Sequence, residues 1–247
     1  MTPAAALERI RIVLCQTSHP GNIGAAARAM KTMGLTRLYL VNPKHFPDPE
    51  AEARASGAGD VLANAHVCAT LDEALTGTVF ASALSARRRD LGPDPEPARQ
   101  GVQDVLAHVG EGDVALVFGG ETSGLTNEEV SRCNRLVTIP VNPDYGSLNL
   151  GSAVQVMCYE LRMAAFNAMP PLVSQATPFS SPPASHEDIE GFFTHLERIM
   201  VTTDFLDPTN PRRLVPKLRR LFGRVELERD EVNILRGILG AVESHLK

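Results

Sequence analysis

Residues 113–126 read DVALVFGGETSGLT. Asp113–Phe118 is a short apolar run that stops on two glycines, an acid and then Thr-Ser-Gly. An apolar run of this length bounded by glycine reads as a buried strand. Glycines at a strand end let backbone groups approach a ligand closely. Glu121 offers two acceptor oxygens to hydroxyls, amines or Asn22. The same residues read equally as a tight turn in which Thr126 caps the next helix.

Outward from this stretch, strand and helix patterns alternate. Arg11–Cys15 (RIVLC), Arg37–Val41 (RLYLV) and Thr78–Leu84 read as strands. Asn22–Met33 (NIGAAARAMKTM) reads as a small-residue helix ending at Gly34, and Leu71–Leu75 as a short helix capped by Thr70. Ala86–Gln100 is Pro-rich and charged, hence a loop, and Val102–Val109 is helical. Beyond the opening stretch come a helical turn or two at Asn127–Arg132, a strand at Leu136–Pro140 (LVTIP) and a long helix at Leu148–Asn167. This alternation predicts an α/β fold whose parallel sheet is covered on both faces.

Met169–Ser185 carries five prolines among serines and reads as a linker rather than a packed element. Helical periodicity returns at Ile189–Thr202, Arg212–Phe222 and Leu227–Leu246, with Pro216 expected to kink the second helix or delay its start. The expected division is a sheet domain over 1–168, a linker over 169–185 and a helical extension over 186–247.

Composition bounds the function. Of 247 residues 43% are hydrophobic, enough for a sizeable core. The net charge of −5 excludes a polycation that coats nucleic acid indiscriminately, but not a local basic patch. No apolar run is long enough to span a membrane. Acidic Glu8 interrupts the first residues, which read as no signal peptide. Cys15, Cys68, Cys133 and Cys158 form no C-x-x-C pair, so buried thiols are expected rather than a zinc cluster. These features point to a cytoplasmic protein without a metal site.

Two further clusters also follow strands, at the sheet edge where parallel α/β folds bind ligands. Thr17–Arg28 (TSHPGNIGAAAR) combines a strand-end loop with a helix N-terminus suited to an anion, and Arg28 lies six residues past Asn22. It reads equally as a Gly-rich turn with a surface arginine. Ile139–Leu150 (IPVNPDYGSLNL) is a long loop running into an apolar helix, suited to gripping a small molecule. It reads equally as a connector with Ser147 as N-cap. The chain has no G-x-G-x-x-G with a matching acid, no Walker-type loop, no G-x-S-x-G and no H-E-x-x-H.

Taken in order, Asn22 with Arg28, Gly119 with Glu121, and Ser147-Leu148-Asn149-Leu150 resemble the motifs of the SPOUT class of S-adenosylmethionine-dependent RNA methyltransferases. Within that class they resemble the SpoU/TrmH branch, which methylates ribose 2′-hydroxyls. SHPGNIGAAARAMKTMGL, ARASGAGDVL, LTNEEVSRC, AVQVMCYELRMA, FLDP at 205–208 and NILRGIL at 233–239 extend the likeness through the extension, toward enzymes acting on nucleotide 32 of the tRNA anticodon loop. Two positions depart from the pattern. Gly120 stands where arginine is common, and Pro216 interrupts a normally continuous helix.

The resemblance implies a C-terminal trefoil knot that holds the cofactor between Leu84-Ser85-Ala86, the Gly119–Gly120 turn, and Ile139, Gly146, Ser147, Leu148 and Leu150. It implies a homodimer with the active site at the subunit interface. It assigns catalysis to Arg28, Asn22, Glu121, Ser147 and Asn149. Arg28 then acts either as a base or as a cation stabilising the developing alkoxide. Asn22 and Glu121 would hold Arg28 or the loop, while Ser147 and Asn149 would position the nucleotide or the loop backbone. Arg212–Arg224 (RRLVPKLRRLFGR) has six basic residues and no acid. In an RNA-modifying protein, Arg212, Arg213, Lys217, Arg219 and Arg220, with Arg87, Arg88 and Arg89, are expected to meet tRNA phosphates. The alternatives are a relative acting on another tRNA position or on ribosomal RNA, and a noncatalytic RNA-binding module of the same fold.

Overall fold

Along β1 (Ile10–Cys15) successive side chains enter two different cores. Ile10, Ile12 and Leu14 join one, and Val13 and Cys15 the other. A strand buried on both faces has no solvent side, which is why it reads as a mainly apolar run; its one charged residue, Arg11, is buried and paired with Asp113 at 2.8 Å. The computed structural model of the chain describes residues 1–86, 94–167 and 181–246. Its sheet has seven strands: β1, β2 (Arg37–Val41), β3 (His66–Cys68), β4 (Thr78–Leu84), β5 (Pro95–Pro97), β6 (Asp113–Phe118) and β7 (Arg135–Thr138). Their order is β3-β2-β1-β6-β4-β7-β5, and all pairs are parallel.

Helices α1 (Pro3–Leu7), α2 (Pro20–Met33), α3 (Pro49–Ala55), α4 (Gly59–Ala63), α6 (Ala98–His108) and α8 (Leu150–Asn167) cover one face. Helices α5 (Leu71–Leu75) and α7 (Asn127–Ser131) cover the other. Helix α2 ends where Gly34 adopts φ 87°, its N–H donating to the carbonyls of Met30 and Lys31. Gly24 permits the close crossing of α2 and α3, because a Cβ there would lie 2.1 Å from the Ala51 carbonyl oxygen. The expected cap Thr70 accepts from the Glu73 amide, and Thr126 forms a capping box with Glu129. All four cysteines are buried thiols. Among the described residues no helix is long and apolar enough to cross a membrane.

Three expectations need correction. Pro95–Pro97, read as part of a loop, is an edge strand beside β7, and α6 already begins at Ala98. Proline is tolerated at a sheet edge, where one side of the backbone needs no partner. The second correction concerns the end of the Pro/Ser stretch, which is packed. The Ala184 N–H donates to the Leu227 carbonyl, the Arg229 N–H to that of Pro182, and Ala184 is buried. Third, the long helix starts at Leu150 rather than Leu148, with Asn149 rather than Ser147 as its cap: the Asn149 Oδ1 accepts from the amides of Gly151 at 2.9 Å and Ser152 at 3.4 Å.

The extension consists of α9 (His186–Thr202), α10 (Leu214–Gly223) and α11 (Arg229–His245) around Phe192, Phe193, Leu227 and Val232. Pro216 falls in the first turn of α10, where its missing N–H costs no helical hydrogen bond. The helix therefore starts late instead of kinking. Charged pairs dock this unit on the sheet domain. Glu190 takes Arg132 from one side and Arg219, at 2.6 and 2.7 Å, from the other. Glu226 pairs with Arg135 and His108, and His186 lies 3.0 Å from Asp72.

Candidate active site

Strands β6, β4 and β7 are neighbours in the sheet, so the turns leaving their C-terminal ends meet. They form one cleft. Leu84, Ser85, Ala86, Gly119, Gly120, Ile139, Gly146, Ser147, Leu148 and Leu150 all line it. Phe118, Glu121, Thr122, Ser123, Gly124, Val141 and Ala153 complete the lining. Phe118 and Thr122–Gly124 fall in the stretch read around Gly119 and Val141 in that of Ile139–Leu150, so only Ala153 lies outside the segments the sequence singled out. The glycines also serve the turn itself. A Cβ on Gly119 would lie 2.1 Å from the Gly124 carbonyl carbon and the Leu125 nitrogen. The turn folds against its own backbone, closed by the Gly124 N–H donating to the Gly120 carbonyl at 2.9 Å, with Gly124 at φ 65°.

At the rim, Glu121 collects four donors. Its Oε2 accepts from the Ser18 amide at 2.9 Å and the Ser18 hydroxyl at 2.8 Å. Its Oε1 accepts from the His19 amide at 3.2 Å and Asn22 Nδ2 at 2.8 Å. Burial pushes this carboxyl up, but the hydrogen bonds from Asn22 and Ser18 outweigh it and hold the pKa at about 2. The carboxylate is thus ionised throughout the physiological range. Asn22 in turn accepts on Oδ1 from Asn149 Nδ2 at 2.9 Å. The network fixes each amide: helix α8 needs the Asn149 oxygen as its cap, so the Asn149 nitrogen faces Asn22. The Asn22 oxygen then faces Asn149, and its nitrogen faces the acceptor-only carboxylate.

Arg28 stands apart. It is exposed on α2, makes no side-chain hydrogen bond or ion pair among the described residues, and is not part of the cleft lining. Glu121 and Asn22 therefore hold the loop, not Arg28. Ser147 is exposed at the cleft. Ser18 was missed as a partner of Glu121, since only the fold brings positions 18 and 121 together.

The expected RNA contacts divide. Arg87, Arg88 and Arg89 lie outside the described residues. Arg212, Arg213 and Lys217 are exposed. Arg220 is half-buried in a groove between α7 and α10. Arg219 is not available to a phosphate, because its guanidinium is held by Glu190 and lies 4.3 Å from the centroid of the Phe193 ring. Charge spacing along α10 gave no warning of an acid on α9. Among the described residues no group of three or more His, Cys, Asp or Glu is placed to hold a metal ion.

Comparison with known proteins bears on this geometry. The family model described as SpoU rRNA Methylase family matches residues 9–159, and that described as tRNA methyltransferase TrmJ, C-terminal domain, matches residues 187–247. The tRNA (cytidine/uridine-2′-O-)-methyltransferase TrmJ of Escherichia coli (strain K12) is 49% identical over 242 residues, 98% of each chain. The crystal structure of TrmJ from Z. mobilis ZM4 superposes with a TM-score of 0.82 at 32% identity, covering 94% of this chain and 98% of that one. A probable methylase family protein from Haemophilus influenzae Rd KW20 is 43% identical over 97% of this chain and 98% of its own, with a TM-score of 0.61.

Proposed function

This chain belongs to the SpoU rRNA methylase family, and from that premise we propose that it is an S-adenosylmethionine-dependent tRNA methyltransferase. Its target is the ribose 2′-hydroxyl of cytidine or uridine, at nucleotide 32 of the anticodon loop. The observation that carries this reading is the union of three post-strand turns in one cleft, with the Glu121–Asn22–Asn149 relay at its rim. The substrate is supported by the name of the relatives that are 49% identical. The preference for nucleotide 32 over another tRNA position or ribosomal RNA rests on the likeness that runs on through the extension.

The cleft suits the cofactor chemically. Leu84, Ile139, Leu148 and Leu150 offer apolar walls for a purine ring, and Ser85, Ser123 and Ser147 offer polar groups for the sugar and amino-acid parts. Ala86, Gly119, Gly120 and Gly146 complete the holding set. When bound, the cofactor supplies a methyl group on a sulfonium for in-line transfer. The protein's residues do the rest. Ser147 and Asn149 position the nucleotide, Glu121 holds the Ser18–His19 loop and Asn22, Asn22 accepts from Asn149, and Arg28 enters as a cation. A guanidinium in water is charged, so it stabilises the developing alkoxide or grips the adjacent phosphate rather than removing a proton.

A homodimer with the active site between subunits belongs to the same proposal. Two features support it: Arg28 is exposed and is not among the residues lining its own cleft, and Tyr159, Met163 and Phe166 are exposed apolar residues on α8. The trefoil knot belongs here too, supported by the way 84–86 and 139–150 close on one cleft before α8 returns to pack against α2 and α6. So do the division into 1–168, 169–185 and 186–247, a cytoplasmic location, and phosphate contact through Arg212, Arg213, Lys217 and Arg220, with Arg87–Arg89 as a second patch.

The test is transfer of labelled methyl from S-adenosylmethionine to bulk tRNA, followed by mapping of the modified nucleotide. Label on the ribose of nucleotide 32 is expected; label only on a base or only on ribosomal RNA overturns the reading. Arg28→Ala is expected to abolish transfer while cofactor affinity persists, and near-normal turnover would remove Arg28 from its role.

A further inference from the structure

We propose that Tyr145 is the stacking platform for the base of the nucleotide whose ribose is methylated, an inference that rests on the transferase reading above. Tyr145 is 81% exposed. Its ring has no stacking, cation–π or hydrogen-bond partner among the described residues. The other tyrosines are placed differently: Tyr39 is buried against His66, and Tyr159 is on α8. A single exposed apolar side chain is ordinary; the position of this one is not. It immediately precedes Gly146 and Ser147, which line the cleft.

The backbone beneath the ring is held. The Tyr145 N–H donates to the Asn142 carbonyl at 3.0 Å, and the Asp144 N–H to Asn142 Oδ1 at 3.1 Å. The ring therefore projects from a hydrogen-bonded turn rather than a loose tip. An enzyme that works on one nucleotide of a folded RNA must draw it out of the stack, which leaves a base without its neighbours. An aromatic face at the rim replaces that stacking, and it does so for either pyrimidine because every base has a π-face. This matches the cytidine/uridine tolerance in the proposed function. Phe118, an aromatic residue that lines the cleft itself, is buried and cannot take this part.

The experiment uses the full chain, tRNA and S-adenosylmethionine. Tyr145→Ala is expected to lower kcat/KM for tRNA roughly 10- to 100-fold, the scale of one lost base–aromatic stack. Cofactor affinity and oligomeric state should stay as in the wild type, and Tyr145→Phe should restore transfer to within about threefold. The chain has no tryptophan, so Tyr145→Trp introduces a single reporter. Its emission should be quenched by tRNA but not by the same tRNA made abasic at the target nucleotide. Wild-type kinetics in Tyr145→Ala, or equal quenching by the abasic tRNA, overturns the assignment. A changed oligomeric state in Tyr145→Ala also overturns it, marking a subunit contact instead. Failure of the transferase reading itself looks different: the wild type then transfers no methyl to tRNA at all.

Discussion

Asn149 Nδ2 donates to Asn22 Oδ1 at 2.9 Å, joining residues 127 positions apart in the chain. Through this bond the cap of α8 is connected to the carboxylate of Glu121, and the turns after β1, β6 and β7 become one hydrogen-bonded rim. The polarity of the relay is set at both ends, by helix amides at one and by an ionised carboxyl at the other.

Asn149→Asp separates the cap from the relay. Aspartate still accepts from the α8 amides and is a good N-cap, so thermal stability should change little. It no longer donates to Asn22, whose amide then lies between two carboxylates and can donate to only one while its oxygen faces the other. Methyl transfer should fall roughly 10- to 100-fold, since hydrogen bonds linked to charged groups are worth about 1.5–3 kcal/mol. Asn149→Ala should lose both activity and about 1 kcal/mol of stability. Equal activity in Asn149→Asp and wild type would show that the relay is not needed.

Glu121 makes stability depend on pH in a defined direction. Its folded pKa of about 2 lies below the ordinary 4.5. Its contribution is fully present above the ordinary value and is lost as pH falls toward the folded one. Glu121→Gln lacks that contribution at every pH. Urea midpoints of wild type and variant should therefore differ at pH 7 and converge as pH drops from 5 toward 3. Parallel curves would contradict the assignment.

Gly24 tests the crossing of α2 and α3. A methyl there meets the Ala51 carbonyl oxygen at 2.1 Å and the Ala55 nitrogen at 2.9 Å, both backbone atoms that do not swing aside. Gly24→Ala should cost about 1–3 kcal/mol, the usual price of overpacking. Gly57→Ala, where nothing lies within 4 Å, serves as the control and should be close to neutral in thermal unfolding.

Glu190 tests the docking of the extension. Removing it leaves the Arg219 guanidinium, on a side chain only 13% exposed, without its carboxylate, while Arg132 keeps Asp72 at 3.5 Å and Glu128 at 3.4 Å. Breaking a buried pair from one side costs about 3–5 kcal/mol, and residual exposure should bring this to about 2–4. Glu190→Ala should release the extension to limited proteolysis before the sheet domain unfolds. Unchanged protease resistance would place the docking energy elsewhere.

The local pattern of the chain determined a good deal by itself. β2, β4 and β6 begin and end where the sequence reading placed them, since a strand buried on both faces is apolar along most of its length. Gly34, Thr70 and Thr126 marked helix ends through chemistry that acts within a few residues. The ten residues expected around one ligand do line one cleft, because each follows a strand and the strands are parallel. What the tertiary structure alone decided is pairing across distance. Ser18 meets Glu121, Asn149 caps α8 and reaches Asn22, and Arg219 is consumed by Glu190. Pro95–Pro97 becomes a strand only because β7 offers it an edge. Hydropathy and turn chemistry act locally, so a single sequence displays them. A hydrogen bond between residues a hundred positions apart exists only once the sheet has brought their turns together.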